Sequence, residues 1–211
     1  ITNNDTYKTV HTNNETYNAK AVLIAAGAVP RTLNVENEDL FTSNGISWCA
    51  ICDGPLYKDK KVVVVGGGNS AVEESVFLAN IAKHITVVQN LDRLTADPKA
   101  IEALKRAPNV DIIYNSKVVK FLGNSNLEGV VIETNGQELE IKCDGVFEYI
   151  GLMPSTTFLK DLNILNHLGY LEVDENFETK VKGIFGAIDS KHKKVRQVVT
   201  AVSDGAIAIQ N

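Results

Sequence analysis

Short β-branched runs separated by turn signals, with a few stretches at helical spacing between them, extend along the whole chain. Tyr7 to Thr12 alternates, Asn13-Asn14 is a turn signal and Lys20 to Ala25 is a short apolar run. The segment therefore predicts a hairpin feeding a buried strand. That run ends in Ala25-Ala26-Gly27-Ala28-Val29-Pro30-Arg31, where small residues permit close backbone approach and Pro30 stops the sheet. An ordinary strand-to-loop exit accounts for the same residues. Thr32 to Gly45 is polar and turn-rich and reads as a crossover between domains. Lys61 to Val65 is a buried strand, Val72 to Ala82 a helix with Val72, Val76 and Ala79 on one face, and Ile85 to Val88 a second buried strand. Asp97-Pro98 opens a helix through Arg106, with Ile101 and Leu104 inward. Val110 to Tyr114, Val118 to Leu122, Gly129 to Glu133 and Glu138 to Lys142 read as strands, the last two joined at Asn135-Gly136. Val146 to Ile150 is another buried strand, and Gly151 to Pro154 turns the chain out of the domain. Gly169 to Val173 and Gly183 to Asp189 follow as extended segments. The final helix begins near Gln197 and is expected to turn Val198, Ala201, Val202 and Ala206 inward. Strands alternating with helices make the class α/β.

Composition narrows the partners. The 211 residues carry 26 acidic against 21 basic side chains, a net charge of −5, with no basic block interleaved with aromatics, so nucleic acid is not an expected partner. The longest apolar runs, such as Val62 to Val65, are too short to cross a bilayer, and no apolar leader opens the chain. Three cysteines, two of them close together, fit a reducing compartment, the cytoplasm, better than a secreted disulfide framework. The chain opens on Ile1 without a methionine and runs at once into strand-like alternation, as a piece of a longer chain does.

Two motifs carry chemistry. In Trp48-Cys49-Ala50-Ile51-Cys52-Asp53-Gly54, two cysteines separated by two residues can close a small ring that is oxidised and reduced without the fold opening. Asp53 is placed to give or take the proton that thiol chemistry moves. The same spacing serves half a zinc site or a structural staple, but zinc requires four ligands and Cys143 has no partner at that spacing. The second motif is Gly66-Gly67-Gly68-Asn69-Ser70-Ala71, a GxGxxA between a strand and a helix, which aims backbone N–H groups and a helix N-terminus at a pyrophosphate. About twenty residues on, an acid would read an NAD ribose and arginines an NADP phosphate. Gln89-Asn90-Leu91-Asp92-Arg93-Leu94-Thr95 has neither pattern in clean form. Arg196-Gln197, at the start of the last helix, offers a cation and N–H groups to a negative charge.

Taken together, Cys49-Ala-Ile-Cys-Asp-Gly, the run from Lys61 to Glu74, Phe147 to Pro154, Gly183 to Asp189, and Arg196 to Ala201 with Asp204-Gly205 resemble the low-molecular-weight bacterial thioredoxin reductases in order and spacing. The resemblance implies a two-domain FAD/NAD(P)-binding Rossmann-like architecture of the three-layer ββα kind. Residues 1–33 and 152–211 would be later pieces of a flavin domain, and 34–151 an inserted NAD(P)-binding domain carrying the CxxC. It further implies a thioredoxin-disulfide reductase. A nicotinamide bound near Gly66, Gly68, Asn69, Ser70 and Ala71 would reduce FAD, and FAD would reduce the disulfide. Cys52 would lie next to the flavin, Asp53 would be its proton donor, and Cys49 would attack thioredoxin. Asp189 would contact the ribityl-phosphate region of FAD, with Arg196 and Gln197 at its pyrimidine edge. Homodimerisation and two alternating domain orientations come with the same resemblance.

Three departures stand against it. The family's first flavin segment is missing before Ile1. Its basic loop for the NADPH 2′-phosphate is replaced by Gln89, Asn90, Leu91 and Thr95, and each lost Arg–phosphate contact forfeits roughly 1.5–3 kcal/mol. The glycine before its flavin-contacting aspartate is Ile188. NADPH, NADH and a non-nucleotide donor such as ferredoxin therefore remain open as electron sources, and a diverged non-enzymatic nucleotide-binding module is the alternative of a different class.

Overall fold

The strand Lys61–Val65 shows how the larger of two units is built. Its side chains alternate between faces, as they must at a period of two. Val63 and Val65 enter one apolar cluster with Phe41, Ile46, Phe121, Val130 and Val146, while Val62 and Val64 enter another with Ala71, Val72, Leu78, Ile85, Leu104 and Phe147. One sheet thus divides two cores, and a strand buried on both sides is uniformly β-branched. The structure, a computed structural model, describes residues 1–4, 6–193 and 195–210. It divides into a unit of Ile1–Val29 with Leu152–Asn211 and a unit of Pro30–Gly151.

In the Pro30–Gly151 unit the sheet has five strands, in spatial order Ile46–Ser47, Gly145–Glu148, Lys61–Val65, His84–Val88 and Val110–Ile113, and its ladders run parallel. The helices Asn69–Leu78 and Pro98–Arg106 cover the Val62/Val64 face. An antiparallel meander of Ser116–Gly123, Leu127–Thr134 and Gln137–Lys142 supplies the second core. Three layers result. Asn135 and Gly136 take φ of 51° and 76°, the left-handed pair that a two-residue hairpin requires. Pro98 sits in the first helical turn while the Asp97 carboxylate accepts the Lys99 N–H at 2.9 Å. The helix after the glycines starts at Asn69, three residues before the sequence-based expectation, and ends at Leu78. Thr32 to Gly45 is not a bare crossover, because Glu38–Phe41 forms a helical turn that buries both Glu38 and Phe41.

In the other unit, Lys8–His11 and Thr16–Ala19 form the expected hairpin, with Thr2–Asn3 added at its edge. Val22–Ile24 pairs in parallel with Ile184–Gly186, and Ile24, Leu159, Ile164, Leu171 and Ile184 pack beside them. Gly169 to Val173 forms no ladder: Leu171 makes single bridges, to Leu165 and Lys191. One expectation fails here. In the last helix, Val198–Ala208, the buried residues are Asp204 and Ala208, whereas Val198 and Val202 are 81% and 67% exposed and Ala206 is also exposed. The polar side is turned in because Asp204 is held by two cations, Lys191 at 3.3 Å and Lys193 at 3.0 Å. Among the described residues no helix is long and apolar enough to cross a membrane.

Because Phe121 is fully buried between the meander and the sheet, Phe121→Ala is expected to destabilise the Pro30–Gly151 unit by about 3–5 kcal/mol, read as a lowered midpoint in urea denaturation.

Candidate functional site

Cys49 and Cys52 form a disulfide, with Cα atoms 5.3 Å apart. The four-residue helix Ala50–Asp53 starts between them, and Cys49 is its N-cap: the Cys49 sulfur accepts the Cys52 N–H at 3.2 Å. A sulfur at the start of a helix faces unpaired N–H groups, a setting that favours a thiolate once the ring is opened. Cys49 is half-buried and Cys52 exposed. Ser47, at the end of its strand, organises the segment. Its Oγ accepts the Cys49 N–H at 3.1 Å and donates to the Asp53 carboxylate at 2.7 Å. Asp53 is thereby fixed beside the pair, with its own N–H on the Cys49 carbonyl at 3.0 Å. Just past the end of the Gly145–Glu148 strand, the Tyr149 hydroxyl accepts the Ala50 N–H at 2.8 Å, and burial, with the nearby Glu74 and Asp53 charges, pushes its ionisation well above the usual phenol range, so it stays a neutral phenol. Burial also raises the Glu74 carboxyl, whose Oε2 has no hydrogen-bond partner among the described residues.

Trp48 packs its ring against the meander-side core and donates its indole N–H to Glu148 Oε2 at 3.1 Å. Glu148 is 2% exposed, and burial, with the neighbouring Glu38 charge, pushes its carboxyl up to about 8. Glu38 itself accepts the N–H groups of Leu33 at 2.8 Å and Val35 at 3.3 Å. Neither acid carries a local motif. Each sits where apolar residues are the rule, so only the fold reveals the pair.

The glycine loop opens where Lys61–Val65 ends. Gly66 has φ 128°, donates to the Val88 carbonyl at 2.9 Å, and would drive a Cβ to 2.5 Å from the Tyr149 carbonyl oxygen. Only glycine fits there. A Cβ on Gly68, by contrast, would meet nothing nearer than Thr95 Oγ1 at 4.0 Å, leaving the backbone accessible at the N-terminus of a ten-residue helix that no side chain caps. Ala71 is fully buried against the sheet and Ser70 is exposed. Asn69 turns its side chain away, its Oδ1 accepting the Asp97 N–H at 2.8 Å. An open backbone cradle at an uncapped helix start fits the phosphates of a dinucleotide. Beyond it, Gln89 is buried and bridges the Arg93 carbonyl and the Asn90 N–H, and Arg93 is ion-paired to Asp92 at 3.0 Å on the surface. Cys52, Cys49, Asp53, Gly66, Gly68, Asn69, Ser70 and Ala71 all lie in the Pro30–Gly151 unit.

Asp189, Arg196 and Gln197 belong to the other unit. Asp189 pairs with Lys193 at 3.1 Å. Arg196 lies 5.0 Å over the Tyr170 ring, and its Nε is buried without a hydrogen-bond partner among the described residues. Gln197 begins the last helix, with its N–H on Thr200 Oγ1 at 3.1 Å. Ile188 has φ 55°, a left-handed backbone that a β-branched side chain rarely adopts. An idle guanidinium N–H beside a helix start suits the electron-rich edge of a flavin ring.

The profile of the pyridine nucleotide-disulphide oxidoreductase family matches residues 1–205. A "34.2 kDa protein in rubredoxin operon" of Clostridium pasteurianum is 43% identical over 206 residues, 97% of this chain and 67% of that protein. The thioredoxin reductase of Bacillus subtilis is 42% identical over 211 residues, 97% of this chain and 66% of its own. The crystal structure of thioredoxin reductase from Streptococcus pyogenes superposes with a TM-score of 0.85 at 42% identity, covering 100% of this chain and 70% of that one. The chain spans about two thirds of the length of these relatives.

Cys143 is buried, and burial raises its thiol to about 12. After reduction at pH 8, iodoacetamide is expected to label two cysteines within minutes and Cys143 only in denaturant, as mass spectrometry of the alkylated peptides would show. Glu148 holds its proton far more tightly folded, at about 8, than at its ordinary 4.5, so its contribution to stability is full below 4.5 and is lost as pH rises through 8. Thermal midpoints measured from pH 5 to 9 are expected to fall for the wild type and to fall less for Glu148→Gln.

Proposed function

The chain belongs to the pyridine nucleotide-disulphide oxidoreductase family, among its thioredoxin reductases, and on that premise we propose that the protein passes electrons from a pyridine nucleotide through FAD and the Cys49–Cys52 disulfide to thioredoxin or a thioredoxin-like protein. The observation that carries this reading is a disulfide closed at a helix start, with a carboxylate fixed beside it, in the same unit as an open phosphate cradle. In this reading residues 30–151 are the NAD(P)-binding domain, and 1–29 with 152–211 belong to the FAD domain. FAD, when bound, supplies the carrier that links a nucleotide hydride to a disulfide. Arg196 Nε, Gln197 and Asp189 would hold it, and Gly66, Gly68 and the start of the Asn69–Leu78 helix would hold the nucleotide phosphates.

Reduction of the ring takes up two electrons and leaves Cys49 and Cys52 as a thiol and thiolate, with Asp53 moving the proton at Cys52. The Cys49 thiolate then attacks one sulfur of the partner's disulfide and expels the other as a thiolate. Cys52, deprotonated, attacks the Cys49 sulfur of the mixed disulfide, closing the ring again and releasing the second partner thiol. Electrons and protons balance: two electrons and one proton enter the ring, and two electrons and one proton leave on the partner's thiolate and thiol.

The donor is the point at which this chain departs from the NADPH pattern. Gln89 is spent inside the loop and Arg93 is tied to Asp92, which leaves the ribose end without a free cation among residues 89–95. NADH, or a non-nucleotide donor such as ferredoxin, is the favoured second reading. A cytoplasmic homodimer accompanies the proposal through its family likeness.

Cys49→Ser and Cys52→Ser are each expected to abolish thioredoxin reduction, with at least about a thousandfold loss of kcat, while Cys143→Ser leaves it within about twofold. Unchanged turnover in either of the first two variants would reject the proposal. Flavin reduction followed at 450 nm with NADPH, NADH and reduced ferredoxin is expected to show no preference for NADPH over NADH, and a strong one would overturn the reading of the 89–95 loop.

A further inference from the structure

A buried acid on the central strand is connected to the redox pair by one side chain. Glu148 ends the Gly145–Glu148 strand, which hydrogen-bonds on one side to Ile46–Ser47 and on the other to Lys61–Val65. The residue after Ser47 is Trp48, and the one after that is Cys49. The indole N–H of Trp48 ends on Glu148 Oε2 at 3.1 Å. Oε1 of the same carboxyl is buried and has no hydrogen-bond partner among the described residues. An ionised carboxylate oxygen left so would be costly. A protonated one, turned toward the neighbouring Glu38 carboxylate, would not. Glu38 is itself committed, since its two oxygens take the Leu33 and Val35 N–H groups. The groups that face Glu148 are thus Trp48 from the disulfide segment and Glu38 from the short helix, and its sheet partner Val65 is apolar.

We propose that Glu148 is a positioning residue for the redox disulfide: through the Trp48 indole it holds the segment that carries Cys49, and it does so differently with and without its proton. With the proton on, the carboxyl accepts from the indole and presents its hydroxyl to Glu38, and the segment is held without a second buried charge. With the proton off, two carboxylates face each other in the core, and Glu148, at the end of the strand beside the one that leads into Trp48, is driven from the Glu38 carboxylate, which the Leu33 and Val35 N–H groups hold in place. The indole then follows its acceptor, and Ser47 and Cys49 lie on either side of it in the chain. Coupling of this kind is reciprocal: if the proton on Glu148 alters how Cys49 is held, opening the Cys49–Cys52 ring must alter how tightly Glu148 holds its proton.

This inference rests on reading Cys49–Cys52 as a redox pair, but its test needs no thioredoxin, flavin or nucleotide. Trp48 is the only tryptophan in the chain, so the indole fluorescence comes from the residue that makes this contact. The emission maximum and intensity of the 211-residue chain would be titrated from pH 6 to 9.5, oxidised and after reduction with tris(2-carboxyethyl)phosphine. The oxidised wild type is expected to titrate with a midpoint near 8, and reduction to change the proton affinity by about threefold or more. Glu148→Gln, which keeps an acceptor for the indole but no titratable proton, is expected to give a flat profile when oxidised and, when reduced, to show only the cysteine thiols, a profile that is subtracted from that of the reduced wild type. Glu38→Gln, which removes the facing charge and leaves Glu148 intact, is expected to lower the midpoint and supplies the test should the first variant fold poorly. A titration that survives in oxidised Glu148→Gln, a flat wild-type profile, a midpoint unmoved in oxidised Glu38→Gln, or one midpoint common to the oxidised chain and the thiol-corrected reduced chain would each overturn the proposal. Loss of thioredoxin reduction without any of these results would reject the proposed activity and leave the coupling standing.

Discussion

The pairing of the strand Gly145–Glu148 with its two parallel neighbours is the constraint on which the rest of the Pro30–Gly151 unit depends. Val146 and Phe147 lie opposite Ile46 and Ser47 on one side, and Gly145 to Glu148 opposite Val62 to Val65 on the other. Parallel strands end at the same edge of a sheet, which is where α/β proteins place their chemistry. Here that edge delivers Ser47 into the disulfide segment, Val65 into the glycine loop, and Glu148 and Tyr149 between the two. The Tyr149 hydroxyl then reaches the helix that separates the cysteines, while its carbonyl closes the space beside Gly66. The glycine loop and the disulfide ring are neighbours because one strand lies between theirs.

What could be read in the sequence was what is local. Cys49-x-x-Cys52 and the strand, glycine loop and helix around Gly66 each occupy one short stretch, so a disulfide ring and a strand-to-helix glycine turn could be placed from spacing, their roles coming only with the family likeness. So could the Asn135-Gly136 turn. Glu148 and Glu38 were not legible, because a glutamate in an apolar run looks like a solvated residue until a second acid 110 positions earlier is found against it. What Gln89 does was hidden for the same reason: in the sequence it only stands where a basic loop is missing, and in the fold it is buried and holds its own loop together. The last helix was oriented wrongly because apolarity was taken to mean inward, whereas Lys191 and Lys193 fix Asp204 on the inner side and leave Val198 and Val202 outside.

The smaller unit concentrates its tension in a few residues. Ile188 occupies a left-handed backbone position that costs a β-branched side chain on the order of 1–3 kcal/mol, and it does so directly before Asp189. Ala187, Phe177 and Ala208 surround it, and the 3₁₀ turn Ile188–Ser190 follows from the reversal it imposes. Ser190 in turn accepts the Gly27 N–H at 2.8 Å, so the end of the Val22–Ile24 strand and the Asp189 turn are held to one another. The conformation that a glycine would adopt freely is kept here by its surroundings.

Four consecutive valines, Val62 to Val65, have no side-chain feature by which one could be told from the next. Sliding this strand by one place would present the same shapes to both cores, so its register has to be set at its ends. At one end the Asp144 carboxylate takes the Lys61 N–H at 2.9 Å; at the other Gly66 donates to Val88 and stands where a Cβ would strike the Tyr149 carbonyl. The glycine that opens the loop is also the stop that tells a featureless strand where to end.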